Sequence, residues 1–198
     1  MKTSARLLSA MLLMCAPLLA QLPTDSPVDV IRRPVWNKGI FIGGSTSFAN
    51  TPSAQTLIAG LRVGRVLTNE HGGNFLRGTF EMAIDVIPIN EFWYDGNAQY
   101  AAAINPLILK WNFTSGCKIA PYVAIVGGTV FSTKNLPPGA TSVVNFTSGV
   151  ELGTQFFRPE RRSVDVAVKI YHLSNASIGN QNPGINGAVQ FTLGYTWH

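Results

Sequence analysis

A histidine and a serine stand two residues apart at the end of an alternating segment, VDVAVKIYHLS, which ends at Ser174. The even-numbered positions of this segment are aliphatic up to Ile170 and then become His172 and Ser174. Side chains two apart on a strand project from the same face, so the imidazole can reach the hydroxyl or a substrate held between them. This proximity permits a general base to act on a nucleophile. The same spacing also fits an interfacial histidine and a solvated serine.

The loop that follows, NASIGNQNPGIN, holds groups that such a nucleophile requires. Attack by a serine on a carbonyl needs hydrogen-bond donors for the developing oxyanion. The amide side chains of Asn175 and Asn182, together with backbone N–H groups in a glycine-containing turn, are candidate donors. A base, a nucleophile and oxyanion donors therefore fall within one strand and the loop after it.

A period of two dominates the chain and predicts strands rather than helices. The alternation gives eight candidate strands, at about 35–48, 55–68, 75–89, 99–114, 118–132, 141–157, 163–175 and 187–197. Eight antiparallel strands can close on themselves, so the predicted fold class is all-β, an eight-stranded antiparallel barrel.

One face of these strands is apolar and the other carries charges of both signs. A soluble barrel buries the apolar face, whereas a transmembrane barrel turns it toward lipid. Strands that reach the ~9–11 residues needed to cross a bilayer favour the transmembrane form, as do large aromatic residues at strand ends. These aromatic residues are Trp36, Trp93, Tyr94, Trp111 and Trp197. Parity then places His172 and Ser174 on the lipid-facing side.

The charged residues of the opposite face are expected to fill the lumen as salt bridges, because an eight-stranded barrel is just wide enough for side chains. They are Arg62, Arg77, Glu81, Asp85, Glu151, Asp165 and Lys169. A channel lined by these charges is the alternative. His71 and His198 lack neighbours with metal-ligand spacing and are expected to be solvated.

Connection lengths predict the orientation of the barrel. NEHGGN, SGCK and PERRS are short, as periplasmic turns are, while ANTPSAQ, INEFWYDGNAQ, STKNLPPGATS and NASIGNQNPGIN are mostly longer. With both termini in the periplasm, the His172 and Ser174 pair is expected at the outer rim.

The first twenty residues favour export. Lys2 and Arg6 precede an apolar run that ends in a small residue, which is typical of a cleaved secretory signal. A membrane anchor helix is the alternative, but Pro17 interrupts a run shorter than the ~20 residues of a span. We expect a signal peptide over 1–20, a periplasmic segment over 21–34 and an outer-membrane barrel over 35–198.

The net charge limits the classes of binding partner, and the cysteine count limits the possible disulfides. The 15 basic and 10 acidic side chains give a net charge of +5, and loss of Lys2 and Arg6 with the signal leaves 13 and 10, or +3. This excess is compatible with anionic lipid head groups and too small to indicate a nucleic-acid partner. Loss of the signal also leaves Cys117 without a partner for an intramolecular disulfide.

The run Tyr171-His172-Leu173-Ser174-Asn175-Ala176, followed by Asn182-Pro183-Gly184, resembles the active-site region of the lipid A 3-O-deacylases, the PagL-type outer-membrane enzymes. The resemblance is strongest over roughly the last thirty residues. It implies an esterase that removes the acyl chain ester-linked at the 3 position of lipid A, acting on lipopolysaccharide in the outer leaflet. No metal or organic cofactor is implied.

The resemblance also implies roles for individual residues. Ser174 is the expected nucleophile and His172 its base, while Asn175, Asn182 and Gly184 are expected to lie near the oxyanion or to shape the turn around it. The family pattern places a carboxylate two residues after the glycine of N-P-G, to orient the histidine. Asn186 occupies that position here and is the expected third member of the triad.

Asn186 keeps a second hypothesis open. An asparagine can hold an imidazole tautomer but cannot stabilise the imidazolium by charge, and the equivalent change in a serine protease lowers the rate about 10⁴-fold. The alternative is therefore a non-catalytic eight-stranded outer-membrane barrel, structural or adhesive, with a degraded triad. A third hypothesis, a secreted lipocalin-like barrel, requires the apolar strand faces to point inward.

Overall fold

A computed structural model describes residues 26–48, 53–94 and 96–198. In this part of the chain, eight antiparallel strands close into a barrel in which β1 pairs with both β2 and β8. The strands are β1 (Val35–Ser47), β2 (Ala54–Val66), β3 (Gly78–Tyr94), β4 (Asn97–Phe113), β5 (Ile119–Leu136), β6 (Ser142–Arg158), β7 (Arg162–Ser174) and β8 (Ile185–Trp197). The predicted eight-stranded antiparallel barrel is confirmed. The expected signal over 1–20 lies outside the described residues.

The apolar side chains point out of the barrel. The outward positions carry exposed aliphatic residues from every strand, among them Ile40, Leu61, Ile84, Leu107, Ile125, Leu152, Ile170 and Leu193. The inward positions carry buried polar residues, among them Asn37, Glu81, Asp85, Asn105, Lys110, Glu151 and Gln190. This inversion is the pattern of a transmembrane barrel and contradicts the lipocalin-like alternative. No helix in the described residues is long and apolar enough to cross a membrane.

The lumen is filled by paired charges, as the sequence predicts for most of the residues concerned. Arg62 donates two hydrogen bonds to Asp85, at 2.7 and 3.0 Å, and its other terminal nitrogen lies 3.5 Å from Glu151. Lys110, which the sequence argument omits, lies 2.9 Å from Glu81. The prediction was wrong for Arg77, because this residue precedes β3 and is not part of a strand. Asp165 and Lys169 do line the lumen, but not as members of an ion pair among the described residues: Asp165 accepts hydrogen bonds from the Ser163 and Thr196 hydroxyls, and Lys169 Nζ lies 5.2 Å from the centre of the Tyr171 ring.

Both termini of the described barrel lie at one end, which we call the terminal end; the opposite end is the loop end. A short 3-10 helix, η1 (Pro27–Ile31), closes the terminal end. It buries Val28 and Ile31 against residues at the mouth of the barrel, Val66, Ala120 and Phe157. The described part of the 21–34 segment is thus folded onto the barrel.

Two connections differ from the expected lengths. The segment INEFWYDGNAQ is mostly strand, because β3 and β4 continue to Tyr94 and from Asn97 as a long hairpin. A register shift between Ile87 and Asn90 moves the later residues of β3 to the other face, which hides the alternation. At the terminal end, the connection over 67–77 is longer than a tight turn and includes a second 3-10 helix, η2 (Asn74–Leu76).

The aromatic residues and the histidines differ in how well their positions match the expectations. Trp36 and Trp197 are exposed at the terminal end, as expected of interfacial aromatic residues. Tyr94 is not at the lipid face, since it is buried in the lumen beside Phe92. His71 is exposed as expected, but the prediction for His198 was wrong: its ring packs on Phe157 at 5.1 Å and lies 3.1 Å from the Ser163 hydroxyl.

Candidate functional site

The loop end of β7 is fixed in orientation by its inward side chains. Leu173 is fully buried, and the Tyr171 hydroxyl lies 2.8 Å from the Ser45 hydroxyl inside the barrel. Because neighbouring residues of a strand point to opposite faces, these two anchors turn His172 and Ser174 outward. Both side chains are half-buried on the outer wall, at the rim of the loop end.

A second serine lies beside His172 on strand β6. The pairing of β6 with β7 is regular here, and it sets Ser148 opposite His172 and Phe146 opposite Ser174. Ser148 is exposed on the outer wall. Ser148 is not among the site residues expected from the sequence, although it interrupts the outward series Val144, Phe146, Val150 and Leu152.

Asn186 reaches the outer wall through a β-bulge. Tyr171 pairs with Ala188 and Leu173 pairs with Ile185, so His172 alone faces two residues of β8. Ile185 and Ala188 both stay in the core, each 1% exposed, while Asn186 is exposed. Without the bulge, the parity of β8 would turn Asn186 into the lumen. The bulge therefore puts Asn186 on the same face as His172.

We call Ser148, His172, Ser174 and Asn186 the rim patch. Its members come from three adjacent strands and share one outward face. Within the described residues, no hydrogen bond joins these four side chains to one another. The patch brings together an imidazole, two hydroxyls and an amide, and each of these groups is open to a further partner.

The surroundings of the rim patch are apolar. Phe146 is 39% exposed next to Ser174, and Ile178, in the loop after β7, is 63% exposed. Phe48, which donates a backbone hydrogen bond to Gly187 across the bulge, is also exposed. A ligand with an acyl chain would contact apolar side chains on either side of the polar groups.

Asn175 organises the loop between β7 and β8. It is 1% exposed, and its side-chain Nδ2 donates to the Gln181 carbonyl at 2.8 Å while its Oδ1 accepts from the Ser177 N–H at 2.9 Å. Its backbone N–H donates to Asn182 Oδ1 at 3.0 Å. With both side-chain atoms used inside the loop, Asn175 shapes the turn. Asn182 is exposed, and its Nδ2 makes no hydrogen bond with the described residues.

The turn directly after Ser174 has an unusual backbone. Ala176 and Ser177 have positive φ angles of 49° and 63°, which L-residues adopt at a cost of roughly 1–2 kcal/mol each. Gly184, at φ 59°, closes the loop where a Cβ would lie 2.5 Å from the Leu173 carbonyl oxygen. Strain of this kind collects at functional sites, where the surrounding contacts hold it in place.

No metal site accompanies the patch. Residues 26–48, 53–94 and 96–198 contain no group of three or more His, Cys, Asp or Glu side chains that could hold a metal ion. No outward position next to His172 on β6 or β8 carries a charged side chain. The arrangement is suited to proton transfer between an imidazole and a hydroxyl in an apolar setting.

The fold and the rim patch together define an eight-stranded outer-membrane β-barrel with a polar site on its lipid-facing wall. A family model described as lipid A 3-O-deacylase (PagL) matches residues 57–196. The chain belongs to this family. The matched range includes every member of the rim patch.

Two solved structures show the same fold. The outer membrane enzyme PagL is 17% identical, with a TM-score of 0.52, over 82% of this chain and 99% of that chain. Neisserial surface protein A is 10% identical, with a TM-score of 0.53, over 83% of this chain and 97% of that chain. Comparison with curated proteins gives no match.

Proposed function

We propose that the protein is an outer-membrane esterase that hydrolyses the ester bond at the 3 position of lipid A. Membership of the deacylase family supports this activity. The observation that carries the proposal is the bulge in β8, which brings Asn186 to the face that His172 and Ser174 already share. A polar patch facing lipid is unfavourable unless it serves a ligand.

In the proposed reaction, Ser174 Oγ attacks the carbonyl carbon of the ester and His172 takes the hydroxyl proton. The tetrahedral intermediate collapses, the bond to the sugar oxygen breaks, and His172 returns the proton to that oxygen. Water then attacks the acyl-serine with His172 again as base, which releases the fatty acid and restores Ser174. These steps balance without a metal or an organic cofactor.

Oxyanion stabilisation falls to the loop after β7. The Asn182 amide Nδ2 is exposed and uncommitted among the described residues, so it is the proposed side-chain donor. Asn175, through its hydrogen bonds inside the loop, and Gly184, through its positive φ angle, set the shape of this loop. The three residues thus divide into one donor and two residues that set the shape of the loop.

The position on the outer wall fits a substrate that stays in the membrane. We propose that the loop end faces outward, after export by a cleaved signal over 1–20. The rim patch then lies at the level of the outer leaflet, where the acyl chains of lipid A are found. Lateral entry lets the enzyme cleave the ester without extracting lipopolysaccharide from the bilayer.

A non-catalytic barrel remains the second candidate, and one observation favours it. Asn186 supplies a neutral amide where the family pattern has a carboxylate, so the imidazolium formed during attack gains no ionic partner. In this second candidate, the rim patch is a degraded catalytic site and the barrel has a structural or adhesive role.

Mass spectrometry of lipid A separates the two candidates. The protein without residues 1–20 is refolded in detergent and incubated with purified lipopolysaccharide, beside Ser174→Ala and a protein-free control. If the protein is an esterase, the mass of lipid A should fall by one 3-O-linked acyl group with the wild type only. An unchanged lipid A spectrum with both proteins would support the non-catalytic barrel.

A further inference from the structure

Ser148 places a hydroxyl in an otherwise apolar row on the outer wall. The outward residues before and after it on β6 are Phe146 and Val150. A hydroxyl without a hydrogen bond in an apolar environment is unfavourable. Among the described residues, Ser148 Oγ has no hydrogen-bond partner. The Ser148 hydroxyl is therefore available to a polar group of the site.

The direct neighbours of Ser148 across the sheet leave one polar candidate. On the β5 side, its cross-strand partner is Gly127, which has no side chain. A Cβ built at Gly127 would find its nearest atom, in Leu107, 3.9 Å away, so this side of Ser148 is open. On the β7 side, its partner is His172.

Regular strand pairing brings Ser148 and His172 together. Directly opposed residues of an antiparallel pair have Cβ atoms about 4.5–5.5 Å apart, which is within hydrogen-bond reach of a serine hydroxyl and an imidazole. The β6 and β7 pairing shows no register shift at this point, whereas the β8 side is bulged. Ser148 is thus held at a fixed distance from the ring, and Asn186 is held by an irregular segment.

His172 needs an acceptor for one of its ring nitrogens. When one nitrogen faces Ser174 as a base, the other carries a proton, and its hydrogen bond sets the tautomer and the ring orientation. A carboxylate usually takes this bond; here both neighbouring acceptors are neutral, the Asn186 amide oxygen on the bulged side of β7 and the Ser148 hydroxyl on the regularly paired side. We propose that Ser148 is a positioning residue whose Oγ accepts a hydrogen bond from the His172 ring N–H and holds the imidazole toward Ser174. This inference rests on the proposed esterase function.

An isosteric pair of variants isolates the hydroxyl. Ser148→Thr keeps the hydroxyl and Ser148→Val replaces it with a methyl group of the same shape, and both residues suit a lipid-facing strand. Thr154→Val removes another outward hydroxyl from the same strand, six positions nearer the terminal end, and is the matched control. The gel shift between boiled and unboiled samples checks that each variant is folded. Initial rates of acyl release from lipopolysaccharide give kcat and KM.

The positioning role predicts a change in kcat alone. Ser148→Val is expected to lower kcat about tenfold with KM within twofold, which is the effect of one lost hydrogen bond to the base. Ser148→Thr is expected to stay within threefold of the wild type, and Thr154→Val to match it. Equal kcat for the Thr and Val variants would overturn the inference. A rise in KM at constant kcat would do so too, because it would place the hydroxyl on the substrate.

A double variant tests whether Ser148 acts through His172. In an Asn186→Glu background, the carboxylate takes the ring N–H, so adding Ser148→Val should lower kcat by less than threefold. A full tenfold loss there would show that Ser148 acts elsewhere. If no protein in the series, including the wild type, releases acyl chains, the proposed function fails and this inference fails with it. If the wild type is active and the Ser148 variants have the same kcat as the wild type, only the inference about Ser148 is overturned and the proposed function stands.

Discussion

The lumen and the rim patch both gather polar side chains, but they differ in how those side chains are paired. In the lumen, Arg62 binds Asp85 through two nitrogens, and Glu81 accepts hydrogen bonds from Asn37 at 3.0 Å and Asn112 at 2.8 Å besides its contact with Lys110. In the rim patch, four polar side chains stand next to one another without a hydrogen bond among them.

This difference separates structural from functional polar groups. A buried charge is tolerated best when it is paired and hydrogen-bonded, and Arg62, Asp85, Glu81 and Lys110 meet that condition inside the lumen. The rim patch does not, so its stabilisation has to come from a bound molecule or from conformations adopted with one. The lumen therefore accounts for stability, and the rim patch for the proposed activity.

The largest expected effect is the loss of activity in Ser174→Ala. Removing the nucleophile should lower the rate of acyl release about 10³-fold or more, because the base acts through the Ser174 hydroxyl. The midpoint of urea unfolding should stay unchanged, since Ser174 makes no side-chain hydrogen bond with the described residues. A large shift in the midpoint would contradict the division between the two regions.

The next largest effect should fall on stability and come from the lumen. Glu81→Gln keeps the shape of the side chain but leaves Lys110, 2.9 Å away, as an unpaired buried charge. We expect the free energy of unfolding to fall by about 3–5 kcal/mol, measured by urea titration in detergent. Activity per folded molecule should stay within twofold. Lost activity at unchanged stability would reverse the roles assigned to the two regions.

Asn186→Glu sharpens the comparison within the rim patch. A carboxylate beside His172 stabilises the imidazolium that forms during attack, so kcat should rise about tenfold. Asn186→Gln, a neutral amide, is the matched control and should show no gain. Steady-state acyl release from lipopolysaccharide measures both. A slower Asn186→Glu would mean that Asn186 does not orient the ring.

The smallest effect concerns His198, just after β8 at the terminal end. Burial lowers the pKa of His198 to about 4 from its usual 6.5, although nearby Asp165 opposes the shift. The unfolded chain then binds this proton first, so stability falls as the pH drops from 6.5 toward 4 and is unaffected above that range. His198→Phe should flatten this part of the curve of unfolding free energy against pH. An unchanged slope would show that the ring is not buried.

The sequence predicts the fold because successive side chains of a strand point alternately out of and into the barrel. This alternation appears in the sequence as a period of two. Parity alone puts His172 and Ser174 on the outer face, and the structure agrees. Parity fails where a residue is inserted into a strand. The bulges in β3 and β8 shift the alternation, so they hide the extended hairpin that ends at Tyr94 and the outward position of Asn186.

The alternation within a single strand does not reveal which residues face each other on neighbouring strands. The neighbour relation of Ser148 and His172 depends on the register of the β6–β7 hairpin, which is set by the geometry of its turn and not by the pattern of either strand. The same holds for Lys110 and Glu81 in the lumen. Asn175 was one of the expected residues, but its buried position and its contacts inside the loop come from tertiary structure.

The central claim is that ester cleavage takes place on the lipid-facing wall at Ser174. Acid quenching of the reaction with lipopolysaccharide, followed by proteolysis and mass spectrometry, would detect the acyl-enzyme directly. The account predicts the mass of one fatty acyl group on the peptide that contains Ser174, and none in Ser174→Ala. Acyl release by Ser174→Ala at the wild-type rate, or an adduct confined to another residue, would contradict it.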